Sequence, residues 1–160
     1  MNSLRVAGFL NNSTVNGEGM RSVLFLSGCY HACPYCHNEL MQDPNYGETI
    51  SCNTIIKNIL KNIPIIDGVT ISGGEPFLQA NDLLPLITKL KSYHINIWIY
   101  SGYTYEQLAI NEVHQNILRL VDVLVDGLFI MAKKDETLLY RGSSNQRIIY
   151  LDQGKITHIS

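Results

Sequence analysis

Short apolar runs that end at glycine and hand over to helical patterns recur along this chain, and no other feature constrains its fold more. Val23 to Ser27 is short, apolar and closed by Gly28, as a buried strand would be. Val69 to Ser72 stops at Gly73-Gly74, and Val121 to Val125 breaks at Asp126-Gly127. Ile95 to Tyr100 is β-branched and aromatic, the composition that suits a pleated surface. Helical stripes lie between them. Ile55, Ile56, Ile59, Leu60 and Ile63 form one stripe, with Asn53 or Thr54 as its cap and Pro64 as its stop. Leu83, Leu84, Ile87 and Leu90 form another behind Asn81, with Pro85 placed early enough that its missing amide hydrogen costs little. Thr104 to Leu120 reads as helix, in one piece or two. Ile148 to Leu151 and Ile156 to Ile159 flank Asp152-Gln153-Gly154-Lys155, the pattern of a terminal hairpin. The alternation predicts an α/β fold, a mostly parallel sheet with helices outside. Ligands of such sheets bind in the loops after the strands. The loops that start at Gly28, Gly73 and Ser101 are therefore expected on one face.

At 160 residues and 46% hydrophobic content, the chain reads as one domain over 1–160 with a proper core, not as a disordered segment. A formal charge of −2 gives no basic field, so neither nucleic acid nor a membrane surface is expected as a partner. No apolar run approaches the roughly 18 residues of a membrane span. Met1 to Leu10 lacks the charged and long apolar regions of a secretory signal. A cytoplasmic location is the expectation.

Three of the four cysteines, Cys29, Cys33 and Cys36, fall within eight positions as C-x3-C-x2-C. A disulfide suits neither the odd number nor a reducing compartment. Zinc held by the three thiolates with His31 or His37 is one alternative, although structural zinc usually draws on two separated ligand pairs. An iron–sulfur cluster is the other and fits better, because soft thiolates at tight spacing can cap adjacent corners of a cube. Three ligands for four irons leave one iron open. Cys52 stands apart in a helix-start region and reads as a small buried hydrophobe.

The triad with Tyr35 before its last cysteine, and Gly73-Gly74-Glu75-Pro76 downstream, resembles the radical S-adenosylmethionine superfamily. That resemblance implies a small partial, open β/α barrel. It also implies a [4Fe-4S] cluster on Cys29, Cys33 and Cys36, whose open iron is chelated by S-adenosylmethionine. Its reductive cleavage gives methionine and a 5′-deoxyadenosyl radical. By the same resemblance, Tyr35, Cys36 and His37 lie against the adenosyl part, and Gly73, Gly74 and Glu75 bind the methionyl end.

Length and further motifs narrow the branch. Asn16-Gly17-Glu18-Gly19-Met20-Arg21, Tyr100-Ser101-Gly102-Tyr103-Thr104, Asp122-Val123-Leu124-Val125-Asp126-Gly127 and Arg141-Gly142-Ser143-Ser144-Asn145-Gln146-Arg147 are similar to segments of the activating proteins of anaerobic ribonucleoside-triphosphate reductase. That family implies a large reductase as protein substrate, a glycyl radical as product, and an electron donor such as flavodoxin. Cys36-His37-Asn38 and Gly74-Glu75-Pro76 instead resemble the activating enzymes of pyruvate formate-lyase, which are longer chains. A zinc-binding interaction module and a small-molecule radical enzyme of the deazapurine-forming kind are the remaining alternatives. His31 and His37 are read as solvated or packing residues, and His94, His114 and His158 as structural or exposed. Asp126 either approaches the cofactor or ends a strand. Arg141 and Arg147 either dock the partner or pair with carboxylates.

Overall fold

The computed structural model describes residues 2–31 and 39–160. Eight strands form one sheet: β1 (Ser3–Ser13), β2 (Arg21–Leu26), β3 (Glu48–Ser51), β4 (Gly68–Gly73), β5 (Asn96–Tyr100), β6 (Val123–Asp126), β7 (Arg147–Asp152) and β8 (Lys155–Ile159). Their order is β3-β1-β2-β4-β5-β6-β7-β8. The central strands β2, β4, β5 and β6 are parallel to one another, as the strand–helix alternation predicts. The flanks differ. β1 and β3 on one side, and β7 and β8 on the other, pair antiparallel. The chain thus builds an α/β sheet with a parallel centre and antiparallel edges, and β7–β8 is the expected hairpin.

Alternation along the strands divides the molecule into two faces. Leu24, Leu26, Val69, Ile71, Ile97, Ile99 and Leu124 meet the helices. Those are α1 (Cys52–Leu60), α2 (Ala80–Ser92), α3 (Tyr105–Leu108) and α4 (Glu112–Leu118). Their stripes, Ile55, Ile59, Leu83, Ile87 and Ile117 among them, complete the main core. Each such side chain removed from water contributes about 1.5–3 kcal/mol. The intervening residues Trp98, Val123, Val125 and Ile148 face the other way and gather Tyr100, Tyr140 and Tyr150 into a second, aromatic cluster.

Several local details depart from the sequence reading. Ser51 caps α1, accepting from the Thr54 amide, where Asn53 or Thr54 was expected. Helix α2 is led in by a 3-10 turn at Pro76–Gln79, so Gln79 rather than Asn81 precedes it. Pro85 is then well inside α2, and the helix forgoes the bond that an amide there would make. The stretch 104–120, by contrast, is helix in two pieces, one of the two forms expected: α3 and α4, each with its own cap at Thr104 and Asn111.

Arg21 plugs the amino-terminal end of the parallel strands. It is 2% exposed and spends its donors inside. Nε reaches Thr70 Oγ1 at 2.8 Å, Nη1 the Glu18 carbonyl at 3.0 Å, and Nη2 the Val69 carbonyl at 2.9 Å and Asn96 Oδ1 at 2.9 Å. The guanidinium also lies 5.5 Å from the Trp98 ring centroid. Burial lowers its pKa to about 10. Gly17, at φ +125°, is needed here: a Cβ would come within 2.8 Å of Arg21 and 2.9 Å of Trp98. The glycine–arginine segment noted in the sequence therefore closes the end of the sheet opposite the cysteine loop. No helix among the described residues is long and apolar enough to cross a membrane.

Candidate functional site

The carboxyl ends of β2, β4, β5 and β6 open into a cavity of about 650 Å³. Cys29 and His31 line it from the loop after β2, Gly73 and Gly74 from the end of β4, Ser101 and Gly102 after β5, and Gly127 after β6. The three loops expected on one face do meet there. Register makes this possible: Leu26 pairs with Gly73, so β2 and β4 end level and their loops emerge side by side. The segment 128–146 forms the far wall with Phe129, Leu138, Leu139, Tyr140 and Arg141, and Thr14 to Asn16 closes another side.

The paired glycines are required by this convergence. A Cβ on Gly73, at φ +113°, would lie 2.3 Å from both N and O of Leu26. One on Gly74 would lie 2.4 Å from the Gly28 carbonyl oxygen and 2.6 Å from that of Met41. Both obstacles are backbone, so no rotamer change relieves them. The two loops are also sewn together by the amides of Gly74 and Glu75, which donate to the carbonyls of Leu26 and Gly28.

Glu75 is the group that the sequence reading described least fully. Its residue is 1% exposed, and the carboxylate is met by donors from three loops. Oε1 accepts from His31 Nε2 at 2.7 Å, from the Gly102 amide at 2.8 Å and from Ser101 Oγ at 2.9 Å. Oε2 accepts from the Phe77 amide at 3.1 Å, which starts the 3-10 turn. The side chain of Glu75 thus serves the protein's own loops, while Gly73 and Gly74 are what this stretch presents to the cavity. His31 fills a packing role, its ring edge-on to Tyr103 at 4.5 Å. Burial, with Glu75 nearby, raises the Tyr103 pKa.

Asp126 and Arg147 resolve as partners. Asp126 follows Val125 in the strand alternation and so faces the helices, where it accepts from the Tyr105 amide at 2.7 Å. Arg147 bonds it through Nε at 3.0 Å and also reaches Glu106 at 2.6 Å, holding that exposed carboxyl below its usual pKa. Arg141 donates to the Gln146 carbonyl at 2.7 Å. Gln146 in turn accepts from the amides of Gly142 and Ser143 and donates to Gly127, while Asn145 donates to Leu128. The Arg-Gly-Ser-Ser-Asn-Gln-Arg stretch therefore folds the cavity wall onto the end of β6.

Cys52 is buried at the start of α1 in the main core, and burial raises its thiol pKa. It is a core thiol, as expected. His114 packs edge-on against Phe77 at 5.1 Å, and His94 and His158 are exposed. Cys33, Tyr35, Cys36 and His37 lie outside the described residues. Ser101 and Tyr140 were missed as site residues. Ser101 had a signal in the Tyr-Ser-Gly-Tyr-Thr motif, whereas Tyr140 had none, because it reaches the site only through a folded loop. The donor chemistry fits an iron–sulfur group, since a thiol on the cavity wall beside an edge of bare glycine backbone offers soft ligation and unobstructed space.

Comparison with known proteins agrees with this chemistry. A family described as 4Fe-4S single cluster domain matches residues 15–149. The anaerobic ribonucleoside-triphosphate reductase-activating protein of Escherichia coli K12 is 38% identical over 144 residues, covering 86% of this chain and 92% of its own. The protein of that name from Haemophilus influenzae is 36% identical over 141 residues, covering 84% and 90%. The one from Enterobacteria phage T4 is 34% identical over 143 residues, covering 84% and 86%. Among solved structures, that of QueE from Escherichia coli superposes with a TM-score of 0.51 at 18% identity, over 64% of this chain and 53% of its own. At that identity the likeness is one of fold.

Proposed function

The chain belongs to the anaerobic ribonucleoside-triphosphate reductase-activating proteins, and from that membership we infer how its residues share the work. It is a radical S-adenosylmethionine enzyme that activates the reductase by generating a glycyl radical on it. When bound, the [4Fe-4S] cluster and S-adenosylmethionine supply the electron that cleaves the sulfonium and the 5′-deoxyadenosyl radical that takes hydrogen from a glycine.

In our reading Cys29, Cys33 and Cys36 hold the cluster and leave one iron for the cofactor. Gly73, Gly74 and the Glu75 backbone receive the methionyl end, and Tyr35, Cys36 and His37 the adenosyl end. Three things support this division: Cys29 and the glycine pair share one cavity, no side chain projects from that glycine edge, and the Glu75 carboxylate is engaged elsewhere. Tyr100 and Tyr140 line the cavity with aromatic surface, which limits water at the site, a condition a reactive radical requires. The cavity lies at the strand ends, outside the two buried cores, which suits a glycine carried on a loop of another protein. A flavodoxin-type donor supplies the electron, the chain acts as a single unit over 1–160, and its setting is the cytoplasm.

The observation that carries the reading is the meeting of Cys29 with Gly73 and Gly74 at the strand ends. Anaerobic reconstitution tests it. Wild-type protein should be brown, with about four irons and four sulfides per chain. Cys29→Ala should lose that content and Cys52→Ala should keep it. A colourless protein binding only zinc, or a cluster lost with Cys52, contradicts the reading.

A further inference from the structure

Glu75 sits where the three cofactor loops meet. A carboxylate offers about four acceptor positions, and here donors from His31, Ser101, Gly102 and Phe77 converge on it. Its side chain is 0% exposed. Ser101 extends the network, because its hydroxyl accepts from the Tyr103 amide at 3.0 Å while donating to Glu75. Gly102 completes it from the other side: a Cβ there would lie 2.6 Å from the His31 ring, so only glycine lets the ring settle against this backbone. His31 lies midway between Cys29 and Cys33 in the sequence. Its imidazole is therefore the one described side chain that ties the cysteine loop to the Gly-Gly edge through Glu75.

We propose that Glu75 is a positioning residue: acting through His31, it holds the segment that carries Cys29 in one placement against Gly73 and Gly74. The cluster end and the cofactor end of the site then stay in register. This rests on reading Cys29 and Gly73-Gly74 as those two ends. It departs from a direct role, in which the carboxylate itself would grip the amino group of S-adenosylmethionine. His31 supplies the distinction, since a direct role gives that residue no part in cofactor binding.

The test uses cluster-loaded wild type, His31→Ala, Glu75→Gln and the double variant. Iron content is measured, together with the change that added S-adenosylmethionine causes in the EPR spectrum of the reduced cluster. Each single variant should keep its iron yet need about tenfold more S-adenosylmethionine for half the spectral change, the size of one lost charge-assisted bond. The double variant should also need about tenfold, because both changes weaken the same tie, one by removing its donor and the other its charge. A His31→Ala protein that responds like wild type overturns the proposal, as does a double variant whose effects multiply to about a hundredfold. If Glu75→Gln does not accumulate, His31→Gln takes its place. An amide there can still donate to Glu75 and should recover part of the affinity lost in His31→Ala, and equal affinities overturn the proposal. A wild-type cluster that gives no response at all would instead contradict the proposed function and this inference with it.

Discussion

At Gly74 one methyl group decides whether the site can exist. Its Cβ would sit 2.4 Å from the Gly28 carbonyl oxygen, inside the backbone that leads into Cys29. Gly74→Ala should therefore push the cysteine loop away from β4. We expect a loss of about 2–3 kcal/mol in denaturant unfolding, with reduced iron content, since overpacking against backbone has no cheap relief. Wild-type stability and iron content would show that the loops have slack. Residue-level chemistry was unevenly legible in the sequence. Cysteine spacing and paired glycines carry their meaning locally, in a few consecutive letters. The Glu75 network does not, because its partners lie 44 and 26 residues away and meet only after the sheet has formed. Asp126 shows the same limit: its facing depends on the phase of β6, which places it with the helices.

Elements follow the same logic at longer range. The central strands and the stripes of α1 and α2 were readable because burial imposes a regular apolar pattern on each. β1 was not, since only Leu4 and Val6 are buried in its eleven residues and its pairing with β2 shifts register twice. β3 is four residues at the sheet edge, two exposed and two half-buried. Segment 128–146 has almost no regular structure and is held by the side chains of Asn145 and Gln146, a pattern without periodicity. Helix α4 offers a pH test. Burial against Phe77 disfavours the charged form of His114 and lowers its pKa from 6.5. The folded chain thus binds a proton there less readily than the unfolded one. The packing contribution is intact above pH 6.5 and shrinks as the pH falls below it. An NMR titration of the His114 ring should give a midpoint below 6.5, whereas a midpoint at or above that value would mean the ring is not packed as described.

For the whole molecule, one sheet separates two tasks. Its helix-covered face carries the main core, and its other face, which carries the smaller Trp98 cluster, gives way beside Tyr100 to the cavity at the strand ends. Arg21 fills the opposite end of the parallel strands, so the candidate reactive groups lie at one end only. Most of this plan followed from strand–helix alternation. Apart from the terminal hairpin, the antiparallel edges did not, because a flanking strand's direction is set by the connection that returns to it and not by its own residues. The central claim is that the cavity directs radical chemistry at a glycine of the reductase. Its most direct measurement is EPR spectroscopy after anaerobic mixing of reduced, cluster-loaded protein, S-adenosylmethionine and the reductase. A doublet signal should appear on the reductase with wild type and be absent with Cys33→Ala. No doublet with a fully loaded wild type, or an undiminished one with Cys33→Ala, would contradict the account.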